Sequence, residues 1–346
     1  MTRVLHLMAG AAHGGAEAFF ERLVVALAKA GLDQRVAIRR DGPRTQRLRA
    51  GGIEPVELPF GGPLDFLTPL ALASRMREFA PDVALAFMSR AAAKLPPRWL
   101  AGPRTVRVGR LGGYYDLKYY RHCDRLVANT HDIRDWIVRQ GWPAAKVDYL
   151  PNFVDATRAA PTARADVATP ADAKLLLALG RLHPNKDFDV LLEALARLSK
   201  VHLWIAGTGE LEADLKAQAA RLGIAARVRF LGWRQDAAAL IAACDVLVCP
   251  SRHEPLGNVV IEGWAHGRPV VAAASMGPAA LIRDGENGLL APVDDAAALA
   301  ARIGDVLADD GLASRLALAG EAAYQAGFTQ EAVVRRYLDY FEAVKA

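Results

Sequence analysis

The segment Glu254–Glu262, with the sequence EPLGNVVIE, carries the clearest chemical pattern in the chain. It follows a short apolar run typical of a buried strand, and its second half begins a helical pattern. A helix that starts after a glycine turn presents backbone N–H groups without intrahelical partners, and such a start is a natural phosphate site. In this segment those groups belong to Gly257, Asn258 and Val259.

The two carboxylates of this segment would repel a diphosphate unless they bound hydroxyl groups of the same ligand. A nucleotide sugar has hydroxyls on both sides of its diphosphate, and carboxylates accept hydrogen bonds from them. We therefore expect sugar, diphosphate and ribose to span Glu254, the helix start and Glu262. A capping loop followed by an exposed helical glutamate explains the same residues equally well.

A second pattern, Gly180–Lys186 (GRLHPNK), lies between a strand-like run and a helix. Arg181 and Lys186 would flank the same strand ends, where two cations can neutralise a diphosphate through charge-assisted hydrogen bonds of about 1.5–3 kcal/mol each. The adjoining Asp187-Phe-Asp189 is a D-x-D sequence of the kind that metal-dependent transferases use. Because it opens an amphipathic helix, we interpret it as an acidic helix start and expect no metal there.

Glycines follow two further strand-like runs. Gly207 lies in a turn that does not complete a G-x-G-x-x-G fingerprint. Gly14 and Gly15 follow the first run of the chain, where they would let backbone approach a ligand, and His13 precedes them. A tight strand-to-helix turn explains these glycines at least as well.

Short apolar runs alternate with longer helical patterns along the chain, beginning with Val4–Met8 and Glu17–Ala30. This alternation predicts β-α-β units and parallel sheets. It weakens between Val154 and Ala173, where the composition is that of a linker. We therefore predict an α/β protein with two Rossmann-like, doubly wound domains that face each other across a ligand cleft. The predicted domains are residues 1–162, onto which 326–346 cross back, and residues 172–325.

Charge is distributed unevenly between these halves. Residues 1–160 carry 24 basic and 15 acidic side chains, a net charge of +9, whereas the whole chain carries +5. This asymmetry indicates an acidic partner or surface for the first half. The cations are dispersed and lack the spacing of a nucleic-acid-binding module, so we expect no nucleic acid partner.

Composition also indicates the compartment. The three cysteines lack the spacing of a disulfide framework or a zinc site. No apolar stretch approaches the ~20 residues that cross a bilayer, and the N-terminal run is better explained as a strand than as a signal peptide. We therefore expect a cytoplasmic protein.

Taken in order, these motifs resemble those of the retaining glycosyltransferases of family 4, which have the GT-B fold, and the resemblance runs over nearly the whole chain. The ordered set is highly specific, although each motif alone is weak. The motifs are GGAE at 14–17, LPNFVD at 150–155, GR at 180–181 with Lys186, FDVLL at 188–192, IAGTGE at 205–210, FLG at 230–232, PS at 250–251, the segment Glu254–Glu262, GRPV at 267–270 and DGENGL at 284–289.

The resemblance implies a role for each matching position. Arg181 and Lys186 would bind the diphosphate and stabilise it as the leaving group. Glu254 would contact the transferred sugar and Glu262 the ribose. Further donor contacts would come from the glycine loops and from the turn that recognises the base, namely Gly14, Gly15, Gly207, Gly257, Asn258, Val259 and Arg234. The resemblance also implies retention at the anomeric carbon and no metal or other cofactor.

The sequence departs from the family in its first half. Many members carry a histidine near the segment that here reads RLGGYY at 110–115, and this chain has none there. The contribution of the first domain to catalysis must then come from other side chains. His13, Arg90 and Tyr114 are our candidates for acceptor or sugar contacts.

Aromatic and basic residues interleave in the segment Gly112–Arg121. Such a surface suits stacking on sugars or contact with a phosphorylated lipid interface, although a half-buried helix explains it equally. With the basic first half, it favours a saccharide or anionic glycolipid acceptor, such as a lipopolysaccharide, and peripheral association with the cytoplasmic face of the inner membrane. Two alternatives remain open: a GT-B sugar-nucleotide epimerase and a catalytically silent nucleotide-sugar-binding protein.

Overall fold

The structure, a computed structural model, describes residues 2–11, 14–62, 64–101 and 104–345. Contacts among them divide the chain into two units, residues 1–153 with 330–346 and residues 154–329. Within the described ranges, no helix is both long enough and apolar enough to cross a membrane.

The first unit contains a parallel sheet of seven strands. The strands are β1 (Arg3–Met8), β2 (Asp33–Arg39), β3 (Val56–Leu58), β4 (Val83–Phe87), β5 (Val106–Leu111), β6 (Arg125–Ala128) and β7 (Val147–Tyr149). They lie in the order β3-β2-β1-β4-β5-β6-β7. The helices between them are α1 (Gly15–Lys29), α2 (Gly42–Ala50), α3 (Leu67–Phe79), α4 (Met88–Ala93), α5 (Arg98–Ala101) and α6 (His131–Arg139).

Alternate residues of these strands face two different apolar cores. In β4, Val83, Leu85 and Phe87 pack into one core, and Ala84 and Ala86 pack into the other. A parallel strand covered on both faces has no solvent side and is therefore apolar at every position. This explains why the run VALAF has no polar alternation.

The second unit repeats this plan with six parallel strands. The strands are β8 (Lys174–Leu179), β9 (Val201–Ala206), β10 (Val228–Phe230), β11 (Val246–Cys249), β12 (Val270–Ala273) and β13 (Leu289–Ala291). They lie in the order β10-β9-β8-β11-β12-β13. The helices are α7 (Phe188–Ala196), α8 (Glu212–Arg221), α9 (Ala237–Ala243), α10 (Asn258–Ala265), α11 (Met276–Leu281), α12 (Ala296–Ala308) and α13 (Asp310–Gly327).

The boundary between the two units lies earlier in the sequence than predicted. Phe153 packs against Phe19 in the first unit, with ring centroids 5.5 Å apart, whereas Val154 lies in a core of the second unit. Arg164 ties the expected linker to the second unit, because it donates to the carbonyl oxygen of Ala243 at 2.9 Å. The boundary therefore lies at 153/154 rather than between 162 and 172.

The last helix, α14 (Gln330–Val344), packs on the first unit. Tyr337 accepts a hydrogen bond from Arg110 Nε at 2.8 Å, and Phe341 makes an edge-to-face contact with His6 at 6.0 Å. The segment that returns begins at Gln330, four residues later than the predicted 326.

Candidate functional site

The strand order of the second unit reverses between β8 and β11. The chain leaves β8 toward β9 and β10 on one side, and returns to β11, β12 and β13 on the other. In open parallel sheets a crevice forms at the carboxyl end of such a switch point, and ligands bind there. The two motifs that the sequence singled out, Gly180–Lys186 and Glu254–Glu262, follow these two strands.

Lys186 and Glu254 form an ion pair at this edge, between Nζ and Oε2. The side chain of Lys186 is 24% exposed and that of Glu254 is 12% exposed. Burial disfavours the charge on Lys186, but the carboxylates of Glu254 and Glu262 outweigh burial, so the pKa of Lys186 is raised. The lysine is therefore a fixed cation at neutral pH.

Glu254 also organises the start of α10. Its Oε1 accepts a hydrogen bond from the backbone N–H of Gly257 at 3.2 Å, and its carbonyl oxygen accepts one from the N–H of Gly277 at 2.7 Å. Gly257 has φ +80°, which favours glycine, and a Cβ on Gly277 would overlap the Glu254 carbonyl. Glu254 thus holds the loop before α10 through two hydrogen bonds, one of which engages the N–H of Gly257 that the sequence predicted for phosphate. The N–H groups of Asn258 and Val259 follow directly in the first turn of α10.

The glycine loops of β8, β9 and β10 pack backbone against backbone. Gly207 has φ +154°, and a Cβ on it would overlap the carbonyl oxygen of Gly180. The N–H of Gly207 donates to the carbonyl of Gly232 at 2.8 Å. Glycine at 207 therefore allows the ends of β8, β9 and β10 to pack closely, which is a structural role independent of ligand binding.

The remaining donor-side candidates lie at or near the same edge. Glu262 lies in α10 and is half-buried. Arg181 is exposed and, among the described residues, has no ion pair. Arg234 is paired with Asp236, with Nε and Oδ1 2.7 Å apart. Of the two cations predicted to bind a diphosphate, Lys186 thus forms an ion pair with Glu254, whereas Arg181 is exposed to solvent.

The D-x-D sequence binds an arginine. Asp187 is fully buried and forms an ion pair with Arg252, which also contacts Asp294 at 3.0 Å and Asp189 at 3.8 Å. Burial raises the pKa of Asp187 to about 7, although Arg252 opposes the shift. No group of three or more His, Cys, Asp or Glu in the described ranges is arranged to hold a metal ion. Arg252 was missed from the sequence because its partners lie on two distant segments.

In the first unit, Glu17 contacts the described residues that follow β1. This carboxylate is buried in the first turn of α1, and its Oε1 accepts a hydrogen bond from the N–H of Ala11 at 2.8 Å. Side chains at Gly10 or Gly14 would overlap it. Gly15 begins α1, so Gly14 and Gly15 form the strand-to-helix turn. His13 lies outside the described residues.

The other two first-unit candidates differ in availability. Arg90 lies on α4, is exposed, and lines a cavity of about 660 Å³. The hydroxyl of Tyr114 donates to Asp132, and its ring packs edge-to-face on Trp136 with centroids 5.4 Å apart. Burial and Asp132 raise the pKa of Tyr114. The structure therefore leaves Arg90 open to a ligand and commits the Tyr114 hydroxyl to the protein.

Arg110 is a buried cation that sequence reasoning used only as a landmark. Its guanidinium carbon lies 4.6 Å from the ring centroid of Phe19 and 5.2 Å from that of Phe87. It donates to Tyr337 and to the side chain of Asn152. The two arginines inside the otherwise apolar strand VRVGRL are the signal that could have identified it, because a buried charge requires a dedicated set of partners.

Comparisons with known proteins cover both units. The family profile described as Glycosyltransferase Family 4 matches residues 13–158, and the profile described as Glycosyl transferases group 1 matches residues 173–309. The lipopolysaccharide core biosynthesis glycosyltransferase LpsE of Rhizobium meliloti (strain 1021) is 40% identical over 328 residues, which cover 94% of this chain and 95% of that protein. LpsD of the same strain is 34% identical over 347 residues, or 98% of each chain.

Solved structures share the fold. HepE of Anabaena, crystallised with UDP, superposes with a TM-score of 0.87 at 23% identity, over 99% of this chain and 100% of that one. A glycosyltransferase of Rickettsia africae ESF-5 gives a TM-score of 0.87 at 18% identity, over 99% and 98% of the two chains. With two parallel α/β units, the predicted motifs at their strand ends and relatives aligned over almost its full length, the chain belongs to the family 4 glycosyltransferases of the GT-B fold.

Proposed function

We propose that the chain transfers a sugar from a nucleoside diphosphate sugar to a saccharide or anionic glycolipid acceptor, with retention at the anomeric carbon. The second unit would bind the donor and the first unit the acceptor. One observation carries the proposal: Lys186 and Glu254 pair at the switch point of the second sheet, beside the start of α10. A cation, a sugar-binding carboxylate and helix N–H groups are what a sugar diphosphate requires.

In this scheme the protein acts mainly on the leaving group. The bond between the anomeric carbon and the diphosphate oxygen breaks, and negative charge builds on the diphosphate. Lys186, Arg181 and the N–H groups of α10 would stabilise that charge. The acceptor hydroxyl attacks on the same face, and its proton passes to the departing phosphate oxygen. Glu254 would orient the sugar and Glu262 the ribose through their hydroxyls.

We infer that this chemistry needs no metal ion. The positive charge that a divalent cation would supply to the diphosphate is supplied by Lys186, whose pKa is raised, and by the exposed Arg181. The D-x-D carboxylates are engaged with Arg252. EDTA should therefore leave the rate of transfer unchanged.

The acceptor class is proposed from the relatives and from the first unit. LpsE and LpsD are named as lipopolysaccharide core enzymes, and a sugar of the lipopolysaccharide core is our candidate acceptor. The basic first half would favour such an anionic glycolipid at the cytoplasmic face of the inner membrane. We propose in addition that the transferred sugar is a hexose or a related sugar.

We propose further that an apolar patch on the first unit rests on the anionic bilayer that carries this acceptor. Five large apolar side chains there are 53–85% exposed, and α3 contacts α5. The cations Arg98 and Lys118 pair with Asp124 and Asp116. Isolated exposed apolar residues are ordinary, but a group beside cations marks an interface. The residues of the patch are Leu64, Phe66, Leu67, Leu70 and Trp99.

Thermal unfolding with UDP, GDP, ADP and their common sugars tests the donor site. One nucleotide should stabilise the fold, by about 2.7 kcal/mol at a hundredfold excess over its Kd, with and without EDTA. No shift with any nucleotide would refute the donor site. Binding without transfer to lipopolysaccharide would identify a silent nucleotide-sugar-binding protein, and release of a free sugar product without acceptor would identify an epimerase.

Sedimentation with vesicles tests the membrane patch. Wild-type protein should sediment with vesicles of phosphatidylglycerol and phosphatidylethanolamine, and Phe66→Ser with Leu70→Ser should not. The exposed Leu318→Ser, which lies on α13, is the matched control. Equal sedimentation of all variants would refute the patch.

A further inference from the structure

A cavity of the first unit lies at the carboxyl edge of its sheet. It has a volume of about 660 Å³ and is lined from the three segments that follow β3, β4 and β5, the second of which is α4. β1 and β4 are neighbours at which the strand order of this sheet reverses, so the cavity adjoins the switch point. These segments contribute Gly61 and Gly62, Ser89 and Arg90, and Lys118 and Arg121.

Cations dominate the cavity wall. Arg90 and Arg121 have no carboxylate partner among the described residues, and Lys118 pairs with the exposed Asp116 at 2.7 Å. Lys94, which also lines the cavity, is engaged, because its Nζ donates to the carbonyl oxygens of Gly62 and Asp65 at 2.8 Å each. The cavity is therefore lined by two guanidinium groups without a carboxylate partner among the described residues and by two lysines that the protein already engages.

The backbone at the cavity is held in conformations that side chains rarely adopt. Phe60, which precedes the lining glycines, has φ +42°, and Met88, which precedes Ser89, has φ +65°. Strained residues of this kind persist where the surrounding structure fixes them, and they concentrate at ligand sites.

Asp65 fixes the loop that follows β3. Its carboxylate accepts hydrogen bonds from the N–H of Gly61 at 2.7 Å and from Thr68, and it lies 3.7 Å from Nζ of Lys94. The cavity is therefore built before a ligand arrives, which lowers the entropic cost of binding.

We propose that this cavity binds a phosphate group carried by the saccharide acceptor. Guanidinium groups match phosphate in a two-pronged geometry, and two of them with a lysine suit a doubly charged monoester. Tyr119 is 40% exposed at the rim, where its ring can stack on the sugar that bears the phosphate. The inference rests on the proposed function, because it adds an acceptor subsite to the same enzyme.

Isothermal titration with three probes tests the subsite: inorganic phosphate, glucose 6-phosphate and glucose. Glucose 6-phosphate should bind more tightly than inorganic phosphate, and glucose should not bind in the same concentration range. The double variant Arg90→Ala with Arg121→Ala should weaken the binding of glucose 6-phosphate by roughly a hundredfold, about tenfold for each charge-assisted bond removed. Arg75→Ala, an exposed arginine of α3, should change nothing.

Lys186→Met separates this subsite from the donor site. It should leave the affinity for glucose 6-phosphate unchanged while it weakens nucleotide binding, so failure of the donor site and failure of the subsite give different results. Loss of glucose 6-phosphate binding in Lys186→Met, with retention in the double arginine variant, would overturn the proposal. So would the absence of any phosphate binding to the wild type, or equal affinity for inorganic phosphate, which would describe a free-phosphate site.

Discussion

Unequal changes in nucleotide affinity are expected when the two partners of the Lys186–Glu254 ion pair are neutralised in turn, with weaker binding only after loss of the lysine. Lys186→Met removes the cation and leaves a carboxylate beside the bound diphosphate. Glu254→Gln removes the carboxylate, keeps its size and its bond to the N–H of Gly257, and leaves the cation. Both variants should lose sugar transfer, because each removes one half of the arrangement that we propose for the donor.

The structure sets the size of these effects. Loss of one charge-assisted hydrogen bond in Lys186→Met should cost about 1.5–3 kcal/mol, or roughly ten- to a hundredfold in the Kd for the nucleoside diphosphate. Glu254→Gln should leave that Kd unchanged or lower it. Both variants lose the ion pair, whose side chains are 24% and 12% exposed. A partly buried ion pair should contribute about 2 kcal/mol to the free energy of unfolding, so its loss should lower the Tm by about 4–8 °C.

Isothermal titration with the nucleoside diphosphate chosen by the thermal panel measures the two affinities, and differential scanning calorimetry measures the stability. Lys216→Met, which breaks the exposed ion pair with Glu212 at 2.6 Å on α8, is the matched control and should change neither quantity appreciably. Equal weakening of nucleotide binding in both site variants would mean that the pair only supports the fold. Unchanged binding in Lys186→Met would refute the assignment of the diphosphate to this edge.

Three further changes test the structural account. Asp187→Asn should raise the free energy of unfolding by at least about 1 kcal/mol at pH 8 and leave it unchanged at pH 4. The pKa of Asp187 is about 7 in the folded protein against an ordinary value of 3.8, so the wild type loses stability as the pH rises between these values. A variant that is destabilised more at pH 8 than at pH 4 would contradict this. Asp65→Asn should lower the free energy of unfolding by about 2 kcal/mol at pH 7. Hydrogen bonds to the Asp65 carboxylate outweigh its burial and hold its pKa at about 2, so the wild type loses this stability only as the pH falls from about 4 through 2. Equal unfolding curves of variant and wild type at pH 7 would refute this. Gly207→Ala should weaken nucleotide binding and lower the Tm, whereas Gly223→Ala, with φ +70° and open space around it, should affect stability alone; calorimetry and titration of both decide this.

The fold was predictable because its strands are buried on both faces. Runs such as VALAF in β4 have no polar alternation, and helical patterns separate them, which is the pattern of parallel β-α-β units. The segment after Val154, predicted as a linker, groups with the second unit. Its composition is that of a loop, and the bonds of Arg164 that attach it to the second unit join residues far apart in the chain.

For the candidate site, the sequence predicted which residues follow the strands but not which side chains pair with one another. The sequence places Lys186 and Glu254 after two strands of one sheet, but their pairing depends on β8 and β11 being neighbours, which local patterns do not reveal. The same limit hid Arg252 and the buried Arg110, whose partners come from distant segments. Local motifs identify groups that follow strands, whereas side-chain pairing depends on topology.

Real-time proton NMR of the nucleotide sugar selected by the thermal panel, with enzyme and EDTA, tests the central claim most directly. With lipopolysaccharide present, the account predicts consumption of the donor and a first-formed product with the anomeric configuration of the donor, at a rate that EDTA does not change. A first-formed product of inverted configuration, or turnover abolished by EDTA and restored by a divalent metal, would contradict the account.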